Sequence, residues 1–279
     1  MRKHHLTTAG KALWIIILTA FLLPSCDKEK DETPPLLPPE SSMVIDFSDF
    51  HQNTKSDFNS LPEMQSEYTS WYWLNAAAHV TVWNIIITVG LAVPVAAFWE
   101  SFNHQGVYQG NKEWAWTYDV TAADAVYSAD LHGTIKDTSV LWEMYVSKSG
   151  QFEDFLWYYG EVNHANTHGY WIMNDNPQGQ SQLLRIDWTR VSEADIAEIK
   201  YTNVQPGGAE NGGYIQYGIL ADEVYDRFYD IYVASTQRLV NIKWSTLTKE
   251  GRIKDPYTYQ DENWRCWDTN LLDIVCETD

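Results

Sequence analysis

The chain has 279 residues, with 38 Asp and Glu against 19 Lys and Arg, so its formal net charge at pH 7 is −19. A charge of this sign repels nucleic-acid phosphates and anionic lipid headgroups, which excludes nucleic acid as an expected partner and electrostatic docking on acidic membranes. The composition includes 14 Trp, 17 Tyr and 9 Phe, and aromatic residues favour half-buried strands over helices.

The first 25 residues predict a secretory signal peptide. Arg2, Lys3 and Lys11 form a basic start, and residues 13–23 form an apolar run of eleven residues that ends near small residues. This run is shorter than the roughly 20 residues that a membrane-spanning helix needs. We therefore expect residues 1–25 to be removed, which takes away three basic and no acidic residues and changes the formal charge from −19 to −22.

The four residues Leu23, Pro24, Ser25 and Cys26 resemble the lipobox of bacterial lipoproteins, which has Leu three positions before the cysteine and a small residue directly before it. The resemblance implies that Cys26 is the first residue of the mature chain. Its thiol would carry a diacylglyceryl group and its amino nitrogen a further acyl chain, so that two or three chains anchor the protein. Pro24 departs from the small or β-branched residues usual at its position. The alternative is an ordinary signal peptide followed by an incidental cysteine.

Residues 26–43 are expected to form a tether. The acidic and basic stretch DKEKDE at 27–32 is followed by a proline-rich stretch at 33–39, which favours an extended polyproline conformation. An acidic cluster directly after the lipidated cysteine is similar to the surface-export signal of Bacteroidetes-type lipoproteins. The resemblance implies an outer-membrane protein anchored by lipid and exposed at the cell surface. A periplasm-facing protein is the alternative, because any solvated tether is charged.

Residues 44–279 are expected to form a single domain, which is long enough for a well-buried core. Cys266 and Cys276 are the only cysteines after Cys26. In an oxidising compartment we expect a disulfide bond between them, which would hold the C-terminus in place. Trp264 and Trp267 lie beside Cys266 in the sequence and are expected to shield that bond.

The first part of this domain, residues 44–105, is expected to contain an irregular lead-in segment and a helix. The lead-in segment covers 44–63. The stretch over 64–102 has helical length, and Gly90 and Pro94 are its only helix breakers. Residues 80–99 are twenty residues without a charge, so a membrane-spanning helix must be considered. A helix that is apolar on all sides is buried in lipid or in protein. Because a lipid anchor is already present and strands follow, we predict burial in protein, with a kink or break caused by Pro94.

Beyond Gly110 the sequence predicts strands. In the first of them Trp114, Trp116, Tyr118 and Val120 share one face. The short spacing leaves no room for crossover helices, so neighbouring strands should pair antiparallel as a meander. A twisted sheet of this size tends to close, and we expect a mainly β fold with a barrel or roll of about ten strands over 106–279, packed on or around the long apolar helix. The eleven candidate strands are 114–120, 125–135, 139–147, 154–162, 168–175, 181–190, 197–204, 213–220, 227–235, 239–247 and 263–268.

His164 and His168 form the most suggestive polar cluster, near Glu161 and Asp175. On a helix, imidazoles four residues apart would face the same side, as a metal site requires. The flanking strands and Gly169 indicate a hairpin loop instead, and no third ligand is specified. We therefore expect a solvated turn and no metal.

Two further segments each have two interpretations. Residues 174–179 carry oxygen-bearing side chains at alternate positions, as a calcium loop does, but lack the downstream glutamate of an EF-hand and are suited to a tight turn. Residues 206–213 are rich in glycine and would form a mobile lip over a pocket, with Glu210 at its tip. They lack the lysine that ends a phosphate-binding loop.

The chain has no nucleophile-elbow motif, and abundant carboxylates in an acidic protein do not by themselves nominate a catalytic pair. We therefore expect no catalytic residues and no cofactor. The leading hypothesis is a lipid-anchored envelope protein with a non-catalytic binding or structural β-barrel domain, attached to the membrane by lipid and binding a glycan or an envelope protein. The alternative is a surface hydrolase that acts on glycan or peptide with carboxylates at the barrel mouth. The strand aromatics fit core packing better than sugar stacking.

Overall fold

The computed structural model describes residues 33–45, 47–51, 69–191, 196–221 and 224–277. The predicted signal peptide, Cys26, the charged part of the tether and most of the lead-in segment lie outside these residues, as do residues 64–68 of the predicted helix. The main compact unit begins at Pro34. Within the predicted tether, Met43 is fully buried, so the final residues of that segment pack with the domain.

The stretch 64–102 does not form one long helix, and the break that was predicted within it is present. Helix α2 (Trp71–Gly90) is followed by helix α3 (Ala92–Glu100), and the two helical segments are bent by 61°. Pro94 lies in the first turn of α3, where its missing N–H is not needed for an intrahelical hydrogen bond. The helices among the described residues are α1 (Ser48–His51), α2 (Trp71–Gly90), α3 (Ala92–Glu100) and α4 (Pro256–Tyr259), with short 3-10 helices at Glu40–Ser42, Ser101–Asn103 and Ala234–Thr236.

Within the described part of the chain, neither α2 nor any other single helix combines the length and apolarity of a membrane span, whereas the bent pair of helical segments meets that test jointly.

Fourteen strands form one antiparallel sheet in chain order, and each of the eleven predicted strands is among them. The additional strands are β1, β12 and β14. The strands are β1 (Val107–Gly110), β2 (Glu113–Ala122), β3 (Ala125–Ile135), β4 (Ser139–Lys148), β5 (Phe152–Asn163), β6 (His168–Asn176), β7 (Gly179–Arg190), β8 (Ile196–Asn203), β9 (Tyr214–Ile219), β10 (Arg227–Val233), β11 (Arg238–Trp244), β12 (Gly251–Lys254), β13 (Arg265–Trp267) and β14 (Asp273–Ile274).

The sheet is open, so the predicted closure into a barrel is wrong. Among the described residues, the ladder runs from β1 to β14 without a pairing between these two outer strands. Closure requires two edge strands of useful length in a matching register, whereas β1 has four residues with an irregular register near Gly110 and β14 has two. Helices pack near both outer edges of the sheet instead. Helix α3 packs on β2, and helix α2 packs on β12, β13 and β14.

The inner face of the sheet is aromatic and buried. As alternation predicted, Trp114, Trp116, Tyr118 and Val120 are buried together. Phe98 of α3 packs edge-on against Trp171, with ring centres 5.5 Å apart. Alternating residues of the strands thus form one core with the helices.

The segment before α2 covers a further part of the inner face. Tyr201 donates a hydrogen bond to the carbonyl oxygen of Met43 at 3.0 Å. Phe50 packs edge-on against Trp244 at 5.0 Å and against Tyr229 at 5.7 Å. The segment before α2 therefore supplies part of the second layer that a sheet with one apolar face needs.

Asp273, in the last strand, caps the N-terminus of α2. Its carboxylate accepts hydrogen bonds from the backbone N–H groups of Trp71 at 3.1 Å and Tyr72 at 2.9 Å, and it also contacts the Thr69 hydroxyl. A carboxylate at this position satisfies donors that have no intrahelical partner and complements the helix dipole. The first long helix is thus fixed by a residue about 200 positions later in the chain.

A second link joins α2 to the C-terminal part of the sheet. Asp255 is fully buried, accepts a hydrogen bond from Arg238 Nε at 2.9 Å and caps α4 through Thr258. Arg238 Nη2 also lies 2.9 Å from His79 Nε2 on α2. We call Asp255, Arg238 and His79 the buried triad.

Burial is the main cause that lowers the pKa of His79 to about 4, with the charge of Arg238 adding to it. Burial opposes ionisation of Asp255, but the hydrogen bonds from Arg238 and Thr258 hold the pKa of this carboxyl below its usual value. The triad is therefore a neutral imidazole beside an ion pair.

Candidate binding cavity

A cavity of about 660 Å³ lies on strands β4 to β8. It lies at one end of these strands, where Ser139 begins β4, Asn163 ends β5 and His168 begins β6. Such a volume falls within the range of roughly 300–1,000 Å³ typical of small-molecule sites. Its charged lining residues are the carboxylates of Glu161, Asp187 and Glu198 and the guanidinium of Arg185.

The outward face of the sheet aligns three of the lining residues. Glu161 on β5 pairs with Tyr170 on β6, and Tyr170 pairs with Asp187 on β7. Residues directly opposite in neighbouring strands share one face. The row of Glu161, Tyr170 and Asp187 therefore crosses the cavity wall with an aromatic ring between two carboxylates.

Arg185 holds one of these carboxylates in place. It lies two residues before Asp187 on the same face of β7, and its Nε is 3.0 Å and 2.8 Å from the two carboxylate oxygens of Asp187. The guanidinium carbon also lies 4.4 Å from the centre of the Tyr170 ring. The hydrogen bonds to Asp187 are the main cause that raises the pKa of Arg185.

Glu161 and Tyr170 influence each other electrostatically. Glu161 accepts a hydrogen bond from the Ser139 hydroxyl at 3.0 Å, which fixes the carboxylate at the start of β4. Burial and then the charge of Glu161 raise the pKa of Tyr170, so its hydroxyl stays protonated and can donate a hydrogen bond.

Trp188 forms part of the cavity wall and is 2% exposed. Its Nε1 has no hydrogen-bond partner among the described residues, a property shared by Trp114, Trp142 and Trp244 in the core. Of these four residues, Trp188 is the one that lines the cavity. Because Trp188 follows Asp187 directly in β7, its side chain belongs to the buried inner face, and its Nε1 is itself buried.

The two histidines of the predicted cluster have different surroundings. His164 Nε2 lies 3.0 Å from the carbonyl oxygen of Lys136, while the Thr167 hydroxyl lies 3.3 Å from His168 Nδ1. His168 lines the cavity together with Glu161. Across the described ranges, no group of three or more His, Cys, Asp or Glu side chains is arranged to hold a metal ion.

The two loop candidates are resolved as turns with their own hydrogen bonds. In the β6–β7 turn, Asn176 Oδ1 accepts hydrogen bonds from the backbone N–H groups of Gln178 and Gly179 at 3.0 and 3.1 Å. In the β8–β9 loop, the Glu210 carboxylate accepts from the backbone N–H of Ala234 at 3.1 Å and contacts the Ser235 hydroxyl. Glu210 thus fixes its loop to the β10–β11 connection, which argues against a mobile lip.

Cys266 and Cys276 are joined by a disulfide bond, with 5.1 Å between their Cα atoms. Trp267 is buried and donates a hydrogen bond to the carbonyl oxygen of Lys249 at 2.9 Å. Trp264 has a different environment, since the Arg252 guanidinium carbon lies 4.5 Å from its ring centre.

Sequence reasoning singled out Glu161 and His168, which it interpreted as part of a solvated turn, and it did not single out Tyr170, Asp187 or Trp188 as site residues. One signal was available, because Arg185 and Asp187 are opposite charges two residues apart in a strand and must share a face. Their alignment with Tyr170 depends on the strand register, which the sequence does not specify.

No protein-family model matches this chain, and neither a curated protein nor a solved structure is similar to it.

Proposed function

We propose that this chain is a lipid-anchored protein of a bacterial outer membrane whose β-sheet domain binds a ligand without catalysis. The lipobox resemblance ending at Cys26 supports the anchor. The observation that carries the binding proposal is the cavity on β4 to β8, in which Glu161, Tyr170 and Asp187 lie in one row on the outward face of the sheet.

A neutral glycan is the ligand that this chemistry favours. The carboxylates of Glu161 and Asp187 accept hydrogen bonds from hydroxyl groups, and Tyr170 adds apolar ring surface with a protonated hydroxyl. Three carboxylates line the cavity against the single guanidinium of Arg185, which already pairs with Asp187. A phosphorylated or sulfated ligand would meet repulsion there.

The hydrolase alternative receives less support. Glu161 and Asp187 are two strand spacings apart, about 10 Å between backbones, which is compatible with an inverting carboxylate pair. However, Arg185 forms a forked contact with Asp187, with Nη2 2.5 Å from Oδ1 and Nε 2.8 Å from Oδ2. Both oxygens of this carboxylate therefore already accept hydrogen bonds from one guanidinium, which favours a fixed acceptor.

Binding is tested with the mature chain and an array of neutral and acidic glycans, followed by calorimetry on the compounds that bind. We expect neutral glycans to bind, and Tyr170→Ala or Glu161→Gln to weaken binding by roughly tenfold, as loss of a buried polar or ring contact does. Asp119→Asn, on the outward face of β2, is the matched control and should bind normally. Unchanged affinity in both cavity variants would exclude this cavity, and release of new reducing ends would favour the hydrolase.

Lipidation and localisation have their own tests. Cys26→Ser should abolish metabolic incorporation of labelled fatty acid and release the protein from the membrane fraction, whereas continued labelling would exclude Cys26 as the acylated residue. Digestion of intact cells with an added protease should degrade the protein if the acidic cluster at 27–32 directs it to the surface. Protection until the outer membrane is opened would indicate a periplasm-facing protein.

A further inference from the structure

The outward side of α2 is an apolar stripe without a covering layer in the described part of the chain. Trp71, Leu74, Val82, Ile85 and Val89 are between 40% and 73% exposed. Their spacing of three, four, seven or eight residues places them on one side of the helix. Residues 71–90 contain no Asp, Glu, Lys or Arg.

The opposite side of α2 is buried in the domain. Trp73, Ala76, Val80 and Ile87 belong to the core, and α2 packs on β12, β13 and β14. A helix that is apolar on all sides is normally covered on all sides. Here the protein covers half of the circumference, and exposed apolar surface of this extent marks an interaction site.

A small apolar cavity lies at the break between α2 and α3, where Thr88, the residue before Val89 of the stripe, is part of its lining. This cavity has a volume of about 220 Å³, and Ile87, Leu91, Val95 and Trp99 are among the residues that line it. The hydroxyl of Thr88, which also lines it, donates a hydrogen bond to the Asn84 carbonyl oxygen at 2.6 Å. The walls therefore present mainly hydrocarbon and fit an acyl chain or a similar apolar group.

The N-terminal chain enters the domain at this same cavity. Val44 lines it, and Trp99 Nε1 lies 3.5 Å from the carbonyl oxygen of Glu40. Glu40 follows Cys26 by 14 positions, and a fully extended chain over that many steps reaches at most about 50 Å. An acylated Cys26 therefore keeps this part of the surface within reach of the bilayer.

We propose that the stripe of α2, together with Trp99 and the small cavity, is a lipid-contacting surface that lies along the bilayer holding Cys26. This inference rests on the proposed lipid anchor. Because one side of α2 is fixed in the protein core, only its outer side is available to acyl chains, so the helix lies in the interfacial plane. Trp71 and Trp99 are suited to this depth, since tryptophan favours the boundary between acyl chains and headgroups.

A second copy of the chain is the competing occupant. The stripe has the three-and-four spacing of a helix-pairing seam, but paired helices usually carry complementary charges beside the seam, and α2 has no acidic residue and no Lys or Arg. An uncharged stripe with a tryptophan in its first turn fits a neutral lipid surface better.

The test uses a chain that begins at residue 26 and carries Cys26→Ser, which keeps the whole compact unit and removes the acyl chains. We expect it to float with phosphatidylcholine vesicles. Val82→Gln with Val89→Gln should reduce the bound fraction by roughly tenfold, because two apolar side chains are lost from the acyl region. The matched control is Val126→Gln with Val191→Gln, which changes two valines of 61% and 70% exposure elsewhere and should float normally.

Two further measurements exclude the alternatives. Phosphatidylglycerol in the vesicles should weaken flotation at low salt because the chain is acidic, and added salt should restore it. Sedimentation should give a monomer, whereas a dimer that Val82→Gln with Val89→Gln dissociates would assign the stripe to a second copy and overturn the proposal. Absence of flotation, or an equal loss in both variant pairs, would overturn it as well. The fatty-acid labelling of Cys26 is independent, so failure of the anchor and failure of the stripe give different results.

Discussion

The buried triad and the cavity row are both polar clusters of the sheet domain, yet their environments are opposite. In the triad, Asp255 is fully buried and its charge is balanced by Arg238, which links β11 to the segment after β12. In the cavity row of Glu161, Tyr170 and Asp187, the side chain of Asp187 is 44% exposed, and that of its partner Arg185 is 38% exposed. This difference separates a polar cluster that holds the fold together from one that is available to a ligand.

The largest expected effect is on the triad. Asp255→Ala should lower the free energy of unfolding by about 3–5 kcal/mol, because it leaves the Arg238 charge without its carboxylate partner in a largely buried position. It also removes the cap of α4. Urea denaturation followed by tryptophan fluorescence measures the loss. A change below about 1 kcal/mol would mean that the triad is no more structural than a surface pair.

The pH dependence of stability sharpens the comparison. The pKa of His79 falls from 6.5 to about 4 on folding, so its contribution is complete above pH 6.5 and is lost as the pH falls towards 4. We expect a loss of about 3 kcal/mol across this interval. His79→Gln should flatten that part of the profile, whereas His168→Gln, at the cavity, should not. Equal slopes in the wild type and His79→Gln would contradict the assignment to the triad.

The disulfide bond gives a slightly smaller effect near the same end of the sheet. Replacing both Cys266 and Cys276 by Ala should lower the free energy of unfolding by about 2–3 kcal/mol, since the bond closes a short loop. In the unchanged protein, neither cysteine should react with an alkylating reagent until a reductant is added. Modification without reductant would show that the bond is absent in solution.

The smallest effect is expected at the cavity. Asp187→Asn should change the free energy of unfolding by less than about 1 kcal/mol, because an exposed ion pair contributes little and is screened by salt. The same urea denaturation, repeated at low and high salt, measures it. A loss as large as that of Asp255→Ala would make the cavity row a structural element and remove the basis for the binding proposal.

Much of the sheet could be predicted from the sequence, because alternation of aromatic and polar residues is a local property. Each of the eleven predicted strands is present. The strands that were not predicted are β1, β12 and β14. They have two to four residues, which is too short for an alternating pattern to be recognised. The same shortness of β1 and β14 explains why the predicted barrel does not close.

The candidate sites were less predictable, because they depend on register and on contacts between distant residues. His79 and Asp255 are far apart in the chain, and only the packing of α2 on the last strands brings them together. The exposed side of α2 could not be predicted for a different reason. Since apolar residues occur all round this helix, its sequence does not indicate which side the sheet covers.

The cap that Asp273 provides for α2 has a consequence for the order of folding. Contacts between residues so far apart in sequence form late, because the loop between them must close first. The apolar helix is synthesised before every strand of the sheet, yet its final contacts come from the last three strands. A chain that stops short of Asp273 should therefore accumulate as aggregates, with its most apolar segment uncovered.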